Sequence, residues 1–152
     1  MLVACDIDGC LADIVEDGKK YLCKTPKDWE GYYQRIPENK SIPLVVDAVL
    51  GLIQEGYKIL LVTGRPEKVR TPTEDWLRNL GLLDSSDQLM MNPNAGSVSG
   101  QEYKLNLYRK LKPYWIIEDE PVTVNALVKE GFKVLQVHGY RWNTREDAKP
   151  YV

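Results

Sequence analysis

The first thirteen residues of the chain, 1–13, read MLVACDIDGCLAD, and they decide how the rest is interpreted. The apolar run from Leu2 to Cys5 predicts a buried strand. Asp6 and Asp8 follow it, and Gly9 then allows the backbone to turn sharply. Because residues two apart on an extended strand face the same side, we expect both carboxylates to face one cleft. The stretch predicts a buried strand that ends at a negatively charged site.

Length and composition set the broad class of the protein. A chain of 152 residues is large enough for one well-buried core and too small for two ordinary ones. A hydrophobic fraction of 43% with 28% charged residues is typical of a soluble globular protein. The formal net charge of -2 and the pI near 5.5 argue against a protein that coats nucleic acid through bulk charge. A local basic patch remains open.

The sequence also predicts where the protein works. Its start lacks a basic region and its apolar run is short, so we expect no signal peptide. No stretch approaches the roughly 18 apolar residues that a membrane span requires, so we expect no membrane partner. The three cysteines, Cys5, Cys10 and Cys23, form no C-x-x-C pair. Reduced thiols favour a cytoplasmic location.

The lone histidine limits the metal chemistry that is open to the chain. His138 cannot build a histidine-rich zinc site, and we expect it to end a strand rather than act as a base. Any metal must then use oxygen ligands, which favours a hard cation such as Mg²⁺.

Apolar runs and helical patterns alternate along the chain after the first strand. Proline or a capping box marks each predicted helix start. Strands that are separated by helices of about ten residues predict a parallel sheet with helices on both faces, an α/β fold. The later strands are predicted at 58–64, 88–91, 114–117 and 132–137, and the helices open at Pro43, Thr71, Ser99 and Pro121.

Polar side chains gather where these strands end. In a parallel sheet, functional groups collect at the carboxyl ends of the strands, where a crevice forms. A third acid near Asp6 and Asp8 makes their mutual repulsion worse, and a divalent cation resolves it. The residues at these ends are Asp6 and Asp8 after the first strand, Thr63, Gly64 and Arg65 after the second, and Glu118, Asp119 and Glu120 after the fourth, with Lys104 on the helix before it.

Four motifs in fixed order resemble those of the haloacid dehalogenase (HAD) superfamily of phosphotransferases. They are DIDGCLAD at 6–13, LLVTGRPE at 60–67, Lys104, and IIEDEP at 116–121, and the likeness covers nearly the whole chain. The tail at 116–142 looks most like the phosphatase module of phage polynucleotide kinase/phosphatases. The resemblance implies a Rossmann-like fold with about five parallel strands and one domain over residues 1–152.

The resemblance also implies a role for each matching residue. Arg65 and Arg70 are candidates for gripping phosphate because arginine offers a planar fork of donors, although either could equally cap a helix or pair with a nearby acid. Asp6 would be the nucleophile, Asp8 the general acid and base, Thr63 a donor to a phosphoryl oxygen, Lys104 a neutralising charge and Gly64 a substrate contact, with Mg²⁺ held by Asp6, Asp119 and the backbone carbonyl of Asp8.

Two positions depart from the family pattern. Cys10 stands where the family has threonine, serine or valine, a position that we interpret as mainly structural. Glu118 stands where this branch often has aspartate, and its extra methylene could let it reach another partner. Which carboxylate holds the metal is therefore left open.

The segment between the first strand and the first long helix, residues 14–42, is too long for an ordinary loop and too short for a domain. Many HAD relatives carry a cap over the active site, and this insert has room only for a small flap, so we expect an open site. Aromatic rings stack on bases and cations follow phosphates. The alternative is that the aromatics pack the flap onto the domain. The candidates are Lys19, Lys20, Lys24, Lys27 and Arg35 with Tyr21, Trp29, Tyr32 and Tyr33.

Together these features predict a Mg²⁺-dependent phosphomonoesterase with an aspartyl-phosphate intermediate and a polynucleotide 3′-phosphate end as the favoured substrate. A nucleotidase or a small-metabolite phosphatase is the alternative within the class. A receiver-like phosphoacceptor or a non-catalytic binding module is the alternative outside it, but receivers accept phosphate on an aspartate where this chain has Thr63. The glycines of 51–56 lack the following Lys-Ser/Thr of a phosphate loop, so we expect no kinase site. The sequence does not indicate whether the protein is a monomer or an oligomer.

Overall fold

The central feature of the fold is a five-stranded parallel sheet, seen in a computed structural model that describes residues 1–137; His138 and the strand end predicted there lie outside this range. The order β5-β4-β1-β6-β7 puts the first strand in the middle. The predicted α/β parallel sheet is therefore confirmed. The strands are β1 (Leu2–Asp6), β2 (Ala12–Asp13), β3 (Lys40–Ser41), β4 (Lys58–Pro66), β5 (Leu89–Asn92), β6 (Trp115–Glu118) and β7 (Val134–Gln136), of which β2 and β3 form a separate antiparallel pair.

Helices cover both faces of the sheet because neighbouring residues of its central strands point in opposite directions. Val3 and Cys5 pack with the helices on one face, and Ala4 packs with those on the other. Within residues 1–137 no helix has both the length and the apolar character to cross a membrane. The helices are α1 (Val15–Asp17), α2 (Trp29–Tyr33), α3 (Pro43–Gln54), α4 (Arg70–Asn79), α5 (Gly100–Leu111) and α6 (Pro121–Lys129); α3 and α4 cover the first face, and α5 and α6 the second.

Three of the four predicted helix starts agree with the structure. Pro43 and Pro121 are the first residues of α3 and α6, and the Ser99 side chain accepts a hydrogen bond from Glu102 N at 3.1 Å. The capping box predicted at Thr71 is wrong, because α4 already begins at Arg70 and no side chain caps it. The hydroxyl of Thr73 instead donates to the carbonyl of Val69 at 2.8 Å.

The strand order creates a crevice at one end of the sheet. The chain proceeds from β1 outward through β4 to β5, and then crosses to β6 and β7 on the other side of β1. Ligands bind at such a switch point, beyond the carboxyl ends of the strands. Asp6 ends β1 and Glu118 ends β6, so the predicted acids lie at this crevice.

The segment 14–42 contains short helical turns and closes with the β2–β3 pair. Its buried side chains Leu22, Tyr32 and Ile36 belong to the same core cluster as the α3 and α4 face of the sheet. The insert is therefore fastened to the sheet domain by packing as well as by its two ends.

Candidate active site

A cleft of about 910 Å³ opens over the carboxyl ends of β1, β4 and β6. Its lining includes Asp6, Asp8, Gly64, Lys104 and, from the end of β6, both Glu118 and Asp119. The insert supplies one wall, and the segment 95–101 at the start of α5 supplies another. The strand ends that the sequence singled out are thus brought together around one space.

Lys104 joins the carboxylates of two strands at the floor of this cleft. Its Nζ lies 2.8 Å from Asp6 Oδ1 and donates a hydrogen bond of 2.8 Å to Glu118 Oε2. Burial lowers the pKa of Lys104, but the charges of Asp6 and Glu118 outweigh this and raise it well above the usual value. Glu118 is fully buried and its partner is Lys104. This answers the question that the sequence left open about its extra methylene.

Asp6 is 3% exposed, and negatively charged groups around it outnumber positively charged ones. Burial and then the charge of Glu118 raise its pKa from 3.8 to about 8, although Lys104 acts in the opposite direction. Burial, followed by the charges of Glu118 and Asp6, likewise raises the pKa of Asp119. Both carboxyls are therefore costly to ionise without a further positive charge.

Gly9 lets Asp119 approach the turn after β1. Its φ of +88° lies in the left-handed region, and a Cβ at this position would overlap the carboxylate of Asp119. As a result, a carboxylate oxygen from each of Asp6 and Asp119 and the Sγ of Cys10 lie within 4.8 Å of one another. The two acids are close enough to share one ion. The thiol of Cys10, the residue that differs from the family pattern, borders the same space.

The donor set can be tested against the expected Mg²⁺ by charge and chemistry. Asp6, Glu118 and Asp119 contribute three negative charges, and Lys104 contributes one positive charge, which leaves two negative charges for a divalent cation to balance. Carboxylate oxygens suit Mg²⁺, whereas the soft sulfur of Cys10 does not. The residues present fit a hard divalent cation held by Asp6 and Asp119.

Asp8 lies in a different environment from Asp6. Arg65 Nη2 donates to its Oδ1 at 2.6 Å and Nε to its Oδ2 at 2.9 Å, while the hydroxyl of Tyr32 donates to Oδ1 at 2.7 Å. Burial alone raises the pKa of Asp8, but the charge and hydrogen bonds of Arg65, with the Tyr32 bond, lower it below the usual value. Asp8 is therefore held as a carboxylate.

Arg65 is 2% exposed, and most of its donors are occupied within the protein. Nη1 donates to the hydroxyl of Thr73 at 3.2 Å. In the amide orientation that satisfies both of its neighbours, Asn39 accepts from Nη2 at 3.1 Å. Arg65 thus lines the cleft but pairs with Asp8, which is one of the alternatives that the sequence left open.

Thr63 lies behind Asp8 and does not line the cleft. It is fully buried; its hydroxyl donates to Asp8 Oδ2 at 3.4 Å and accepts from the backbone N of Arg65 at 3.2 Å. Its hydrogen bond to a phosphoryl oxygen stays a prediction. Gly64 does line the cleft, and a Cβ there would lie 3.0 Å from Gly100 Cα, so β4 and α5 approach each other closely.

The structure does not bring Arg70 to the cleft. Its guanidinium donates to Glu67 at 2.7 Å, to Glu74 at 3.1 Å and to the carbonyl of Leu89 at 3.3 Å. Arg70 therefore pairs with nearby acids at the start of α4, the second alternative that the sequence allowed.

Aromatic and basic residues form the outer wall of the cleft. The rings of Trp29 and Tyr33 stack with centroids 5.9 Å apart, and Trp29 is 46% exposed. Lys27 Nζ lies 5.6 Å from the ring centroid of Trp29, and Lys68 Nζ lies 5.9 Å from that of Tyr33. Tyr32 packs in the core and also borders the cleft, whereas Trp29 is exposed at the cleft; base stacking by the insert stays a prediction. The remaining insert candidates, Lys19, Lys20, Tyr21, Lys24 and Arg35, are not among the lining residues.

Sequence reasoning missed the partners that hold Asp8 and Arg65. It treated Tyr32 as a surface for bases or as packing for the flap, and it named neither Asn39 nor Thr73 for the site. Tyr32 lies 24 residues from Asp8, and no spacing rule connects positions so far apart. An arginine directly after a buried strand end is the one signal that calls for an acidic partner.

Comparisons with known proteins agree with this geometry. The profile of a family described as "HAD superfamily, subfamily IIIB (Acid phosphatase)" matches residues 3–117. No curated protein sequence matches the chain. Among solved structures, one of a Pnkp1/Rnl/Hen1 complex has a TM-score of 0.69 at 19% identity and covers 92% of this chain. This chain spans only 46% of that one.

Two further structures are similar in fold. One is of the Pnkp1/Rnl/Hen1 RNA repair complex, with a TM-score of 0.66 at 20% identity, covering 90% of this chain and 42% of that chain. The other is a class C acid phosphatase from Bacillus anthracis with tungstate bound, with a TM-score of 0.61 at 14% identity, covering 86% of this chain and 61% of that chain. At these identities the likeness establishes the fold.

Proposed function

The chain belongs to the HAD superfamily and is a phosphatase of this type, and from that premise we propose that it is a Mg²⁺-dependent phosphomonoesterase that forms an aspartyl-phosphate on Asp6. The observation that supports this most is the convergence of Asp6, Lys104 and Asp119 at the floor of the cleft. A receiver or a binding module is set aside by the family match.

The carboxylates of Asp6 and Asp119 and the backbone carbonyl of Asp8 would hold the metal, with waters completing its shell. When bound, Mg²⁺ supplies positive charge that favours ionised Asp6 and offsets the charge of the phosphoryl oxygens. Without it, the raised pKa of Asp6 leaves much of this group protonated near neutral pH. A protonated carboxyl is a poor nucleophile, so activity depends on the cation.

The reaction then follows from the positions of the side chains. Asp8, a carboxylate in the substrate-free protein, first takes up the proton of the phosphomonoester monoanion. A carboxylate oxygen of Asp6 then attacks phosphorus while Asp8 gives that proton to the leaving oxygen, whose bond to phosphorus breaks. Lys104, held by Glu118, offsets negative charge on the phosphoryl group. Asp8 next takes a proton from water, whose oxygen attacks phosphorus and releases inorganic phosphate and the Asp6 carboxylate.

For the substrate we propose the 3′-phosphate end of a polynucleotide. The exposed ring of Trp29 offers a surface on which a base can stack, and Lys27 and Lys68 beside the aromatic pair suit backbone phosphates. The similar structure from an RNA repair complex is consistent with this class of substrate. A nucleotidase that acts on free mononucleotides would use the same wall and is the second candidate.

Turnover of a 3′-phosphorylated oligonucleotide, compared with 3′- and 5′-mononucleotides and glycerol 2-phosphate, tests the proposal. We expect kcat/KM to be highest for the oligonucleotide and activity to vanish on chelation and return with Mg²⁺. Equal or better hydrolysis of mononucleotides would exclude the polynucleotide substrate. A protein that remains fully active after chelation would exclude the metal.

Trp29→Ala tests the wall itself. Loss of one stacked base costs roughly 1–3 kcal/mol, so KM for the oligonucleotide should rise about 5- to 150-fold, while glycerol 2-phosphate is turned over as before. Tyr114→Ala is the matched control, since Tyr114 is 50% exposed and lies beneath Lys133 but does not line the cleft. Equal effects of the two substitutions would exclude base stacking on Trp29.

We also propose a cytoplasmic location. Cys5 and Cys10 are buried thiols that form no disulfide, as expected of a protein in a reducing compartment.

A further inference from the structure

The insert reaches the carboxyl group that transfers protons in the proposed mechanism. Tyr32, on α2, is 3% exposed and donates to Asp8 Oδ1 at 2.7 Å. Tyr32 and Asp8 lie 24 residues apart, on opposite sides of the boundary between the insert and the sheet. The hydroxyl of Tyr32 therefore links the insert, which forms one wall of the cleft, to Asp8 after the end of β1.

The two oxygens of Asp8 are held to different extents. Oδ1 accepts from Tyr32 at 2.7 Å and from Arg65 Nη2 at 2.6 Å, which uses both of its lone pairs. Oδ2 accepts from Arg65 Nε at 2.9 Å, and the hydroxyl of Thr63 lies farther away, at 3.4 Å. Arg65 Nε also donates to Oδ1, at 3.2 Å, so Oδ2 has fewer and longer hydrogen bonds and is the oxygen better able to carry a proton.

We infer that Tyr32 is a positioning residue that fixes Oδ1 of Asp8 and so leaves Oδ2 to transfer the proton, an inference that rests on the proposed function of Asp8. In the first step Oδ2 passes the proton taken up from the phosphomonoester monoanion to the leaving oxygen, as the bond between that oxygen and phosphorus breaks and the Asp6–phosphorus bond forms. In the second step Oδ2 accepts a proton from the attacking water. The hydroxyl of Tyr32 keeps its own proton throughout.

The placement of Tyr32 connects this role to substrate binding. The helix α2 is five residues long and also carries Trp29 and Tyr33, both of which line the cleft. The ring of Trp29 meets that of Tyr32 edge to face at a centroid distance of 6.3 Å. A substrate that binds Trp29 therefore contacts the same short helix that carries Tyr32, the residue that orients Asp8.

A purely structural role for Tyr32 makes a different prediction. If its hydroxyl only satisfies a buried polar group, its removal affects every substrate equally through folding or binding. If it orients Asp8, its removal slows only those substrates whose leaving oxygen needs a proton. The dependence on the leaving group separates the two roles.

The experiment measures the first chemical step in single turnovers, with enzyme in excess and Mg²⁺ present. Tyr32→Phe is compared with the parent chain on glycerol 2-phosphate, whose alkoxide must be protonated, and on 2,4-dinitrophenyl phosphate, whose phenolate leaves without a proton. We expect about a tenfold slower release from glycerol 2-phosphate, the effect of one hydrogen bond to a charged group, and a change within about twofold for the aryl ester. Tyr21→Phe is the control, since Tyr21 belongs to the insert but does not line the cleft.

The variant Asp8→Asn distinguishes a failure of the positioning role of Tyr32 from a failure of the proposed mechanism. It should show the same selectivity as Tyr32→Phe, but larger. If Asp8→Asn is selective for the alkyl ester and Tyr32→Phe slows both esters equally or neither, the positioning role is refuted and the proposed mechanism stands. If Asp8→Asn shows no selectivity, Asp8 is not the proton donor, and both proposals fall. Equal melting temperatures of Tyr32→Phe and Tyr21→Phe exclude unfolding as the cause.

Discussion

The two aspartates of the first motif lie two residues apart, yet the structure gives them opposite environments. Asp6 faces Glu118 and Asp119 with only Lys104 to offset them, and its pKa rises to about 8. Asp8 is held by Arg65 and Tyr32, and its pKa falls. The two environments are consistent with the proposed roles, because Asp6 lacks the positive charge that a metal would supply, whereas Asp8 is already paired with Arg65.

The largest effect that tests this difference is the loss of the nucleophile. Asp6→Asn should reduce phosphate release by more than about 10⁴-fold, since no other group attacks phosphorus. It should also stabilise the metal-free protein, because a buried group with too many negative neighbours loses its charge. Phosphate release and thermal unfolding in the presence of a chelator measure both. Full activity of this variant would refute the assignment of Asp6.

Asp8→Asn should give the opposite result for stability. Activity should fall roughly 10²- to 10⁴-fold through loss of the general acid. The free energy of unfolding should fall by about 3–5 kcal/mol, because Arg65 is left buried without its charged partner. The same unfolding assay checks this. Equal shifts of the melting temperature for the two variants would contradict the contrast between the two environments.

The pH dependence of stability sharpens the contrast further. Between about pH 4 and pH 8 folded Asp6 retains a proton that the unfolded chain has released, since its pKa rises from 3.8 to about 8. The metal-free protein should therefore lose stability as pH rises through this window. Melting temperatures at pH 5, 6.5 and 8 measure the loss. Added Mg²⁺ should restore most at pH 8, and Asp6→Asn should flatten the profile; a flat profile in the parent chain would contradict the raised pKa.

The smallest expected effect comes from a comparison of Arg65 with Arg70. Arg65→Lys keeps the charge but loses the fork that holds both oxygens of Asp8, so we expect about a tenfold lower kcat. Arg70→Lys should leave kcat within about twofold, because Arg70 pairs with Glu67 and Glu74 away from the cleft. Steady-state kinetics of the two variants side by side give the answer. A loss of activity in Arg70→Lys would indicate that Arg70 does bind the substrate, against the placement seen in the structure.

Much of the fold follows from patterns that are local in sequence. The alternation of apolar runs with helix signals gives the parallel sheet, and the strand ends then bring Asp6, Asp119 and the predicted Lys104 together. Helix starts at Pro43 and Pro121 also follow, since proline fits the first turn wherever it occurs.

What the sequence did not give depends on contacts between distant segments. Thr71 to Glu74 has the spacing of a capping box, but α4 already begins at Arg70, so Thr71 lies inside the helix and cannot cap it. Tyr32 reaches Asp8 from the insert, and Arg65 reaches it from β4, the strand beside β1. Such pairings have no period in the sequence, so they become visible only in three dimensions.

The near contact between Gly64 and Gly100 also limits how this enzyme can be redesigned. A methyl group at either position would meet the opposite backbone at 3.0–3.3 Å and push α5 outward. Since Lys104 lies one turn farther along that helix, its ammonium group would move away from Asp6. A mutant library aimed at widening the entrance should therefore hold both glycines constant and vary the 95–98 segment instead.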